Sequence, residues 1–425
     1  MFSLQKRGNS LGDRIRSYFF LILLMIFPLV DIFNGVFITY GHEVPLGIAY
    51  RLLFICFILY SVLLQGIRRS GIFFLLLLSL VSLILVCVIQ SFYFRTGIPA
   101  LIKELSYIIR FSLCLLIPFF AEQYQEQFSL KKMAWLTIVL DSFLVGGLVI
   151  PYLLGIGNNT YDETAGFKGF YFATNDIAYA FLILLFLIGW FLIRREKPFP
   201  TIVLLVLYFS NLYCLVILGT KSGLLAGVLY SLYLVIYFIS HYRSRTLYEQ
   251  FFVFEFLLLL FLLLVVKGKE FILKSLSSVI TRFVYFKTLY QDDWLRLLLS
   301  SRNVYLRDAN EQFLQTPNNQ AIFWFGSGFE NRWDWYGRKG GLIEMDFFDM
   351  FFSYGMIGLV VLVLVVSYFW FIILNKGTSK FGLFLLLFTI IYSFLVGHVF
   401  FSALSATVFG VMAMFIQEIK KEQLG

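Results

Sequence analysis

The sequence predicts an all-α polytopic membrane protein with about twelve transmembrane helices and one large extracytoplasmic loop domain. Of its 425 residues, 60% are hydrophobic and only 14% are charged, whereas soluble globular domains carry about 25% charged residues. Apolar runs such as residues 73–89 are continuous, which excludes an outer-membrane β-barrel, because the strands of such a barrel alternate in polarity. The third observation is the alternation of positive charge between successive loops.

Twelve apolar runs are candidates for membrane spans, since about 20 apolar residues cross the hydrocarbon core of a bilayer. The fourth and the last run are short, so the predicted count is about twelve. The predicted spans are residues 17–39, 46–66, 71–92, 105–121, 133–156, 173–193, 200–219, 221–240, 251–267, 345–374, 381–402 and 404–418.

Lysine and arginine residues are distributed unequally between the loops on the two sides of the predicted spans. Seventeen lie in one set of loops, which includes both chain ends, and only four lie in the short loops of the opposite set. Because these residues accumulate in cytoplasmic loops, both termini are expected in the cytoplasm. Topology then accounts for most of the net charge of +9, and no nucleic-acid partner is expected.

The longest loop without an apolar run divides the chain into three predicted parts. Residues 1–267 hold spans one to nine, residues 268–343 form the extracytoplasmic loop domain, and residues 344–425 hold spans ten to twelve. Within the loop, helical periodicity predicts a surface helix over 274–290. A second helix is predicted over 294–313, capped by Asp292 or Asp293 and ended by Pro317.

Ionisable groups inside membrane spans are costly, so each is a candidate for function. Most of them fall near the outer ends of their spans, which predicts a cavity open to the outside rather than a transport path. Asp141, near mid-depth, and Glu255, near the cytoplasmic end, are the exceptions. Two alternatives remain for single members of this set: Arg51 and Arg110 could extend to the outer headgroups, and Asp31 or Asp176 could form a structural pair with one of them. The outer set is Asp31, Arg51, Arg110, Asp176, Lys221 and His398.

Two motifs place cations on the outer side. Thr220-Lys221-Ser222 puts a cation at a helix start, where backbone N–H groups favour phosphate, although a simple turn residue would fit the same pattern. Arg302, after Ser301, and Arg307 lie on the predicted loop helix. A guanidinium binds phosphate through two parallel hydrogen bonds, and a solvated helix face is the alternative.

Three carboxylates precede or enter span ten within six residues: Glu344, Asp346 and Asp349. Carboxylates at a helix start can be caps, but Asp349 lies one turn further, where capping no longer explains it. The segment ends in Gly355-x-x-Gly358. These groups are candidates for a general base.

Residues 166–176 form an aromatic, glycine-rich loop that holds Lys168, Asn175 and Asp176. Such a loop suits sugar rings, and an interfacial aromatic belt is the alternative. The four cysteines lie in apolar runs without metal-ligand spacing. The cysteines are therefore expected to be inert core residues and indicate no metal or cofactor site, although the carboxylates of 344–349 could hold a divalent cation.

Three motifs together resemble the O-antigen ligase and polymerase family in their order and sidedness. They are the motif at Lys221, Arg302 with the Phe325-Gly326-Ser327-Gly328 turn, and the segment 344–358. These are bacterial membrane glycosyltransferases that act on undecaprenyl-linked glycans. The resemblance covers most of the chain and departs from the family pattern at two positions. Lys221 stands where the family has Arg, and Glu344 stands where the ligase branch has His. The Glu-x-Asp form is more similar to polymerases of capsule, exopolysaccharide or O-antigen.

The resemblance implies a GT-C-like fold and a polymerase that joins undecaprenyl-pyrophosphate-linked repeat units at the outer face of the cytoplasmic membrane. The resemblance implies no metal. Membrane lipids are expected as partners, and a flippase and a chain-length regulator are possible further partners. Glu344, or else Asp346, would be the base, and Lys221 and Arg302 would neutralise the pyrophosphate. The expected substrate-binding residues are Arg110, Arg51, Lys168, Asn175, Asp176, Arg307, Asp349 and His398.

Two alternatives remain at this point. A ligase-like enzyme would move finished glycan to a surface acceptor. A flippase or transporter of lipid-linked glycan would require charge through the full membrane depth and no folded external loop, and the sequence shows the opposite of both.

Overall fold

The computed structural model of the protein describes residues 11–42, 44–160, 166–194, 197–241, 293–316, 319–336, 341–374 and 379–424, with isolated positions between 250 and 288. Helices dominate these residues, which confirms the all-α class. The helices of the first half are α1 Leu11–Thr39, α2 Leu46–Gln65, α3 Gly71–Phe94, α4 Ile98–Gln123, α5 Leu130–Leu154, α6 Thr174–Ile193, α7 Thr201–Leu218 and α8 Lys221–Ser240. A short antiparallel pair, β1 Asn158–Asn159 and β2 Phe167–Gly169, lies between α5 and α6.

The second half contributes four short helices and then long apolar ones. They are α9 Trp294–Leu298, α10 Arg302–Gln315, α11 Asn319–Phe325, α12 Phe329–Tyr336, α13 Asp346–Leu374, α14 Lys380–Leu395 and α15 Ala403–Leu424. In the described ranges, eight helices are long and apolar enough to cross a membrane, namely α1 to α3, α5 to α8 and α13. This supports a multi-pass membrane protein. The predicted span 251–267 and the surface helix 274–290 lie outside the described residues, so the count of twelve and the three-part division stay predictions.

The single helix predicted over 294–313 is wrong. The chain breaks after Leu298, where Ser300 and Ser301 take φ angles of 53° and 69°, and α10 begins afresh at Arg302. Left-handed backbone at two consecutive L-residues cannot continue a right-handed helix. The predicted end is confirmed, because α10 stops before an extended Thr316 that precedes Pro317.

The chain forms two compact units. The first comprises residues 1–25, 45–133 and 295–425, and the second comprises residues 26–44 and 134–294. In the first unit α15 packs along α4, and α13 packs against α3 and α11. In the second unit α6 is buried along almost its whole length and packs against α7 and α8.

A kink at a glycine in α13 allows the short helix α11 to pack closely against it. Gly355 has φ 68° and ψ −163° within the helix, and a Cβ there would lie 2.3 Å from the carbonyl carbon of Trp324. Gln90 of α3 secures this approach, because its Nε2 donates to the carbonyl oxygens of Phe325 (2.5 Å) and Ser353 (2.7 Å). The first glycine of the Gly-x-x-Gly motif therefore fixes α11 against α13.

Candidate functional site

A cluster of opposite charges forms where three segments of the first unit meet. They are the start of α10, the residues just before α13, and the connection 396–402 between α14 and α15. Each segment carries a non-glycine residue with positive φ, at Ser301 (69°), Glu344 (62°) and His398 (63°). Such backbone persists only where the surrounding structure enforces it, and it concentrates at functional sites.

Glu344 lies between the guanidinium of Arg302 and the imidazole of His398. Its Oε2 accepts a hydrogen bond of 3.0 Å from Nη2 of Arg302, and its Oε1 lies 4.0 Å from Nε2 of His398. The Glu344 side chain is 41% exposed and that of His398 is 25% exposed, whereas Arg302 is buried. The cluster is therefore open to solvent on the Glu344–His398 side.

These neighbours change the acidity of Glu344. Burial raises the pKa of Glu344, but hydrogen bonding and charge from His398 and Arg302 outweigh burial and lower the pKa to about 2. Glu344 is thus an ionised partner for Arg302 and for the His398 ring near neutral pH.

Asp346 joins the start of α13 to the segment that carries His398. Its Oδ2 accepts hydrogen bonds of 2.9 Å from Oγ of Ser393, on α14, and from the backbone N of Val399. The residue is only 2% exposed. Asp346 therefore holds the 396–402 connection in place beside Glu344.

Asp349 fixes the segment that precedes α13. Its Oδ1 accepts from the guanidinium of Arg332, on α12, and from the backbone N of Ile343 at 2.9 Å, while its Oδ2 accepts from the backbone N of Met345 at 3.2 Å. Glu344 lies between these two backbone groups. The Asp349 carboxylate therefore positions Glu344.

Sequence reasoning missed Arg332. The only signal in the sequence was the position of Asp349 one turn inside an apolar helix. A carboxylate buried there needs a cationic partner from another part of the chain. Arg332 lies next to Trp333 in α12, and its spacing to Asp349 is not that of a local pair.

Gly397 allows the close approach of the two segments. It has φ 70°, and a Cβ there would lie 2.3 Å from the carbonyl oxygen of Glu344. A larger residue would push the 396–402 connection away. The glycine thus helps to bring the His398 ring to the Glu344 carboxylate.

An aromatic groove of about 660 Å³ adjoins the cluster, between α10, the start of α13 and α14. Its floor is largely phenylalanine, and α10 contributes polar side chains to one wall. Oδ1 of Asn303 is buried without a hydrogen-bond partner in the described part of the chain. The lining residues are Asn303, Leu306, Arg307, Asn310, Phe347, Phe348, Phe351, Phe352, Leu359 and Phe394.

The structure thus brings five of the predicted site residues together, namely Arg302, Glu344, Asp346, Asp349 and His398. Three others lie elsewhere in the first unit. Arg307 is exposed and lies 3.8 Å from Asp308 and Glu311. Arg110 lies over the ring of Tyr107 at 5.0 Å, and Arg51 is buried on α2.

The remaining predicted residues belong to the second unit. Lys221 is the exposed first residue of α8. Nζ of Lys168 donates to the carbonyl oxygen of Phe172 at 3.1 Å. Asn175 and the buried Asp176 lie in the first turn of α6. Among the described residues, no three His, Cys, Asp or Glu side chains are grouped so as to hold a metal ion.

Comparison with known proteins bears on the segment that forms the cluster. Residues 285–422 match the model of a family described as O-antigen ligase like membrane protein, and no curated protein matches the chain. The matched residues, about a third of the chain, include Arg302, Arg332, Glu344, Asp349 and His398. This family match confirms that the protein is similar to the O-antigen ligase and polymerase superfamily of membrane proteins.

Proposed function

We propose that the protein is a polysaccharide polymerase that joins undecaprenyl-pyrophosphate-linked oligosaccharide repeat units on the outer face of the bacterial cytoplasmic membrane. The family match supports a membrane glycan-processing enzyme. The single observation that carries the proposal further is the Arg302–Glu344–His398 cluster, which combines an anion-binding group with proton-accepting groups.

The reaction is one displacement at an anomeric carbon. A sugar hydroxyl of one repeat unit attacks the growing glycan, and undecaprenyl pyrophosphate leaves. The leaving group needs no proton, so the enzyme's main task there is to stabilise developing negative charge.

Arg302 is suited to that task. Its Nη2 is bound to Glu344, but its buried Nε has no hydrogen-bond partner among the described residues. A buried unpaired N–H is costly and is normally satisfied. A phosphate oxygen would satisfy it. Lys221, at the start of α8, is proposed as a further cation for the pyrophosphate, because its motif is similar to that of the family.

The aromatic groove is suited to the sugars of the repeat unit. Aromatic faces stack on the apolar faces of sugar rings, while Asn303, Asn310 and Arg307 offer hydrogen-bonding groups to hydroxyls. The Glu344–His398 side of the cluster would then face the acceptor hydroxyl.

The experiment is the surface glycan of a strain that lacks this chain, complemented with variants. A polymerase predicts single repeat units in the deletion strain, whereas a ligase predicts long polymer retained on its lipid carrier. Arg302→Ala and Lys221→Ala should each abolish polymer, because the loss of one such contact costs about a hundredfold in rate. Lys221→Arg should retain polymer, and Lys132→Ala, on the predicted cytoplasmic side, is the control. Normal polymer in the deletion strain would refute the proposal.

A further inference from the structure

We infer that His398 is the base that takes the proton from the acceptor hydroxyl, and that Glu344 is a positioning residue for its imidazole. The inference rests on the proposed function and deepens it. It reverses the expectation from the sequence, in which Glu344 was the first choice for the base.

Glu344 is poorly placed to accept a proton. One of its oxygens is bound to Arg302 and the other faces His398. An efficient base has a pKa near the working pH, whereas these two neighbours hold the pKa of Glu344 at about 2. The same contacts make Glu344 a suitable anchor for a cationic imidazole.

The other two carboxylates are inaccessible. Asp346 is 2% exposed and Asp349 is 4% exposed. Both accept hydrogen bonds that hold the backbone of the cluster, from Ser393 and Val399 in one case and from Arg332, Ile343 and Met345 in the other. A sugar hydroxyl cannot reach either group without breaking these bonds.

His398 is accessible and is held firmly. Its side chain is 25% exposed, its own backbone is left-handed, and both sequence neighbours are fixed. Gly397 packs on the backbone of Glu344, and the N–H of Val399 binds Asp346. This arrangement fixes the backbone of His398 beside Glu344. Imidazole has an ordinary pKa near the pH at which most enzymes work.

The step balances in atoms and electrons. The acceptor O–H bond breaks as its oxygen bonds to the anomeric carbon, and the bond from that carbon to the pyrophosphate oxygen breaks. The electron pair leaves with the pyrophosphate. The proton enters the imidazole of His398, and the resulting imidazolium is stabilised by the Glu344 carboxylate, which lies 4.0 Å from Nε2, before the proton passes to water.

The test uses the purified full-length protein in lipid nanodiscs with a synthetic undecaprenyl-pyrophosphate-linked repeat unit. His398→Ala and His398→Gln should lower the transfer rate by about a hundredfold to ten-thousandfold while melting curves show that the protein stays folded. Added imidazole should restore part of the rate of His398→Ala. His241→Ala is the control, because His241 lies at the end of α8, and it should match the wild type.

The pH profile separates a base from a structural residue. The charged groups of the described residues that act on His398 include the carboxylates of Glu344 and Asp346, and Arg302 is bound to Glu344. The wild-type rate should rise with pH through the imidazole pKa and then level off. Glu344→Gln removes the carboxylate that stabilises the imidazolium, so its profile should shift to lower pH. His398→Gln should lose this dependence.

Three results would overturn the inference. They are a His398→Gln rate close to that of the wild type, a residual His398→Gln rate with the wild-type pH profile, and a folded, inactive His398→Ala that imidazole does not rescue. A wild-type protein that transfers no sugar would instead overturn the proposed function, and the inference with it.

Discussion

Nη2 of Arg332 lies 3.2 Å from Oδ1 of Asp349, and the two side chains are only 2% and 6% exposed. Nη1 of Arg332 also donates to Oγ of Ser353 at 2.8 Å. This buried pair joins the short helix α12 to the first turn of α13. It therefore ties α12 to the residues that carry Glu344.

Removing one partner of this pair should destabilise the protein strongly. Arg332→Met and Asp349→Asn should each cost about 3–5 kcal/mol, because an uncompensated buried charge or unpaired donor remains. The measurement is a melting curve in detergent. Arg307→Met, which breaks exposed pairs at 3.8 Å, should cost less than about 1 kcal/mol.

The double variant Arg332→Met, Asp349→Leu sharpens this test. It removes both charges, so it should recover part of the loss, but the N–H groups of Ile343 and Met345 would lose their acceptor. Each unpaired group costs about 1–3 kcal/mol, and the double variant should remain less stable than the wild type. Wild-type stability of Asp349→Asn alone would show that the pair is not structural.

Glu344 should make stability depend on pH in the acid range. Its pKa falls from 4.5 unfolded to about 2 folded, so the folded state is stabilised above pH 4.5, and this stabilisation is lost as the pH falls towards 2. Because the side chain is 41% exposed, solvent screening reduces the effect to about 1 kcal/mol.

The measurement is the difference in melting temperature between the wild type and Glu344→Gln as a function of pH. The wild type should be more stable at pH 7, and the difference should shrink below pH 4.5. Glu311→Gln, an exposed carboxylate on α10, controls for the general effect of removing a negative charge. A difference that grows on acidification would contradict the Arg302–Glu344–His398 arrangement.

Gly355→Ala should disrupt the junction between α11 and α13. Gly155 offers a control for alanine at positive φ, because its φ of 67° is nearly that of Gly355 (68°) and a Cβ there would meet nothing within 4 Å. Gly355→Ala adds two costs: a clash with the backbone of Trp324, and a ψ of −163° that only glycine readily adopts at this φ. The melting temperature of Gly355→Ala should fall clearly below that of Gly155→Ala. Equal melting temperatures would contradict the close approach of Gly355 to the backbone of Trp324.

Cysteine labelling should establish the sidedness predicted by charge. In a Cys56→Ser background, which removes the exposed native thiol, cysteine in place of Gln315 should react with an impermeant reagent applied to spheroplasts. Cysteine in place of Lys131 should react only after lysis. Both positions are exposed. The reversed pattern would place the cluster on the cytoplasmic side and end the case for an outward-facing enzyme.

The sequence alone predicted the helical class and the residue types of the cluster, because membrane-length apolar runs and charge inside them are local signals. Charge placed at or near span ends and on the predicted loop helix identifies positions 302, 344 and 398 as candidates from the sequence. Their arrangement depends on contacts distant in sequence, such as the approach of Gly397 to Glu344, which no local pattern records.

The roles of the carboxylates were the hardest to predict. The sequence sets Asp349 apart by its position inside the helix, but it does not show that Glu344 is exposed while Asp346 and Asp349 are buried; their hydrogen-bond partners do. The break before Arg302 was missed for a related reason. Two serines allow both helix and turn, and contacts elsewhere decide between them.

The most direct test of the central claim is sugar transfer by the purified protein on a single lipid-linked repeat unit, with no other acceptor present. A polymerase should convert it into a ladder of longer products on the lipid and release undecaprenyl pyrophosphate, and Arg302→Ala should slow ladder formation by about a hundredfold. Intact substrate with the wild-type protein, or transfer that occurs only when a separate surface acceptor is added, would contradict the account.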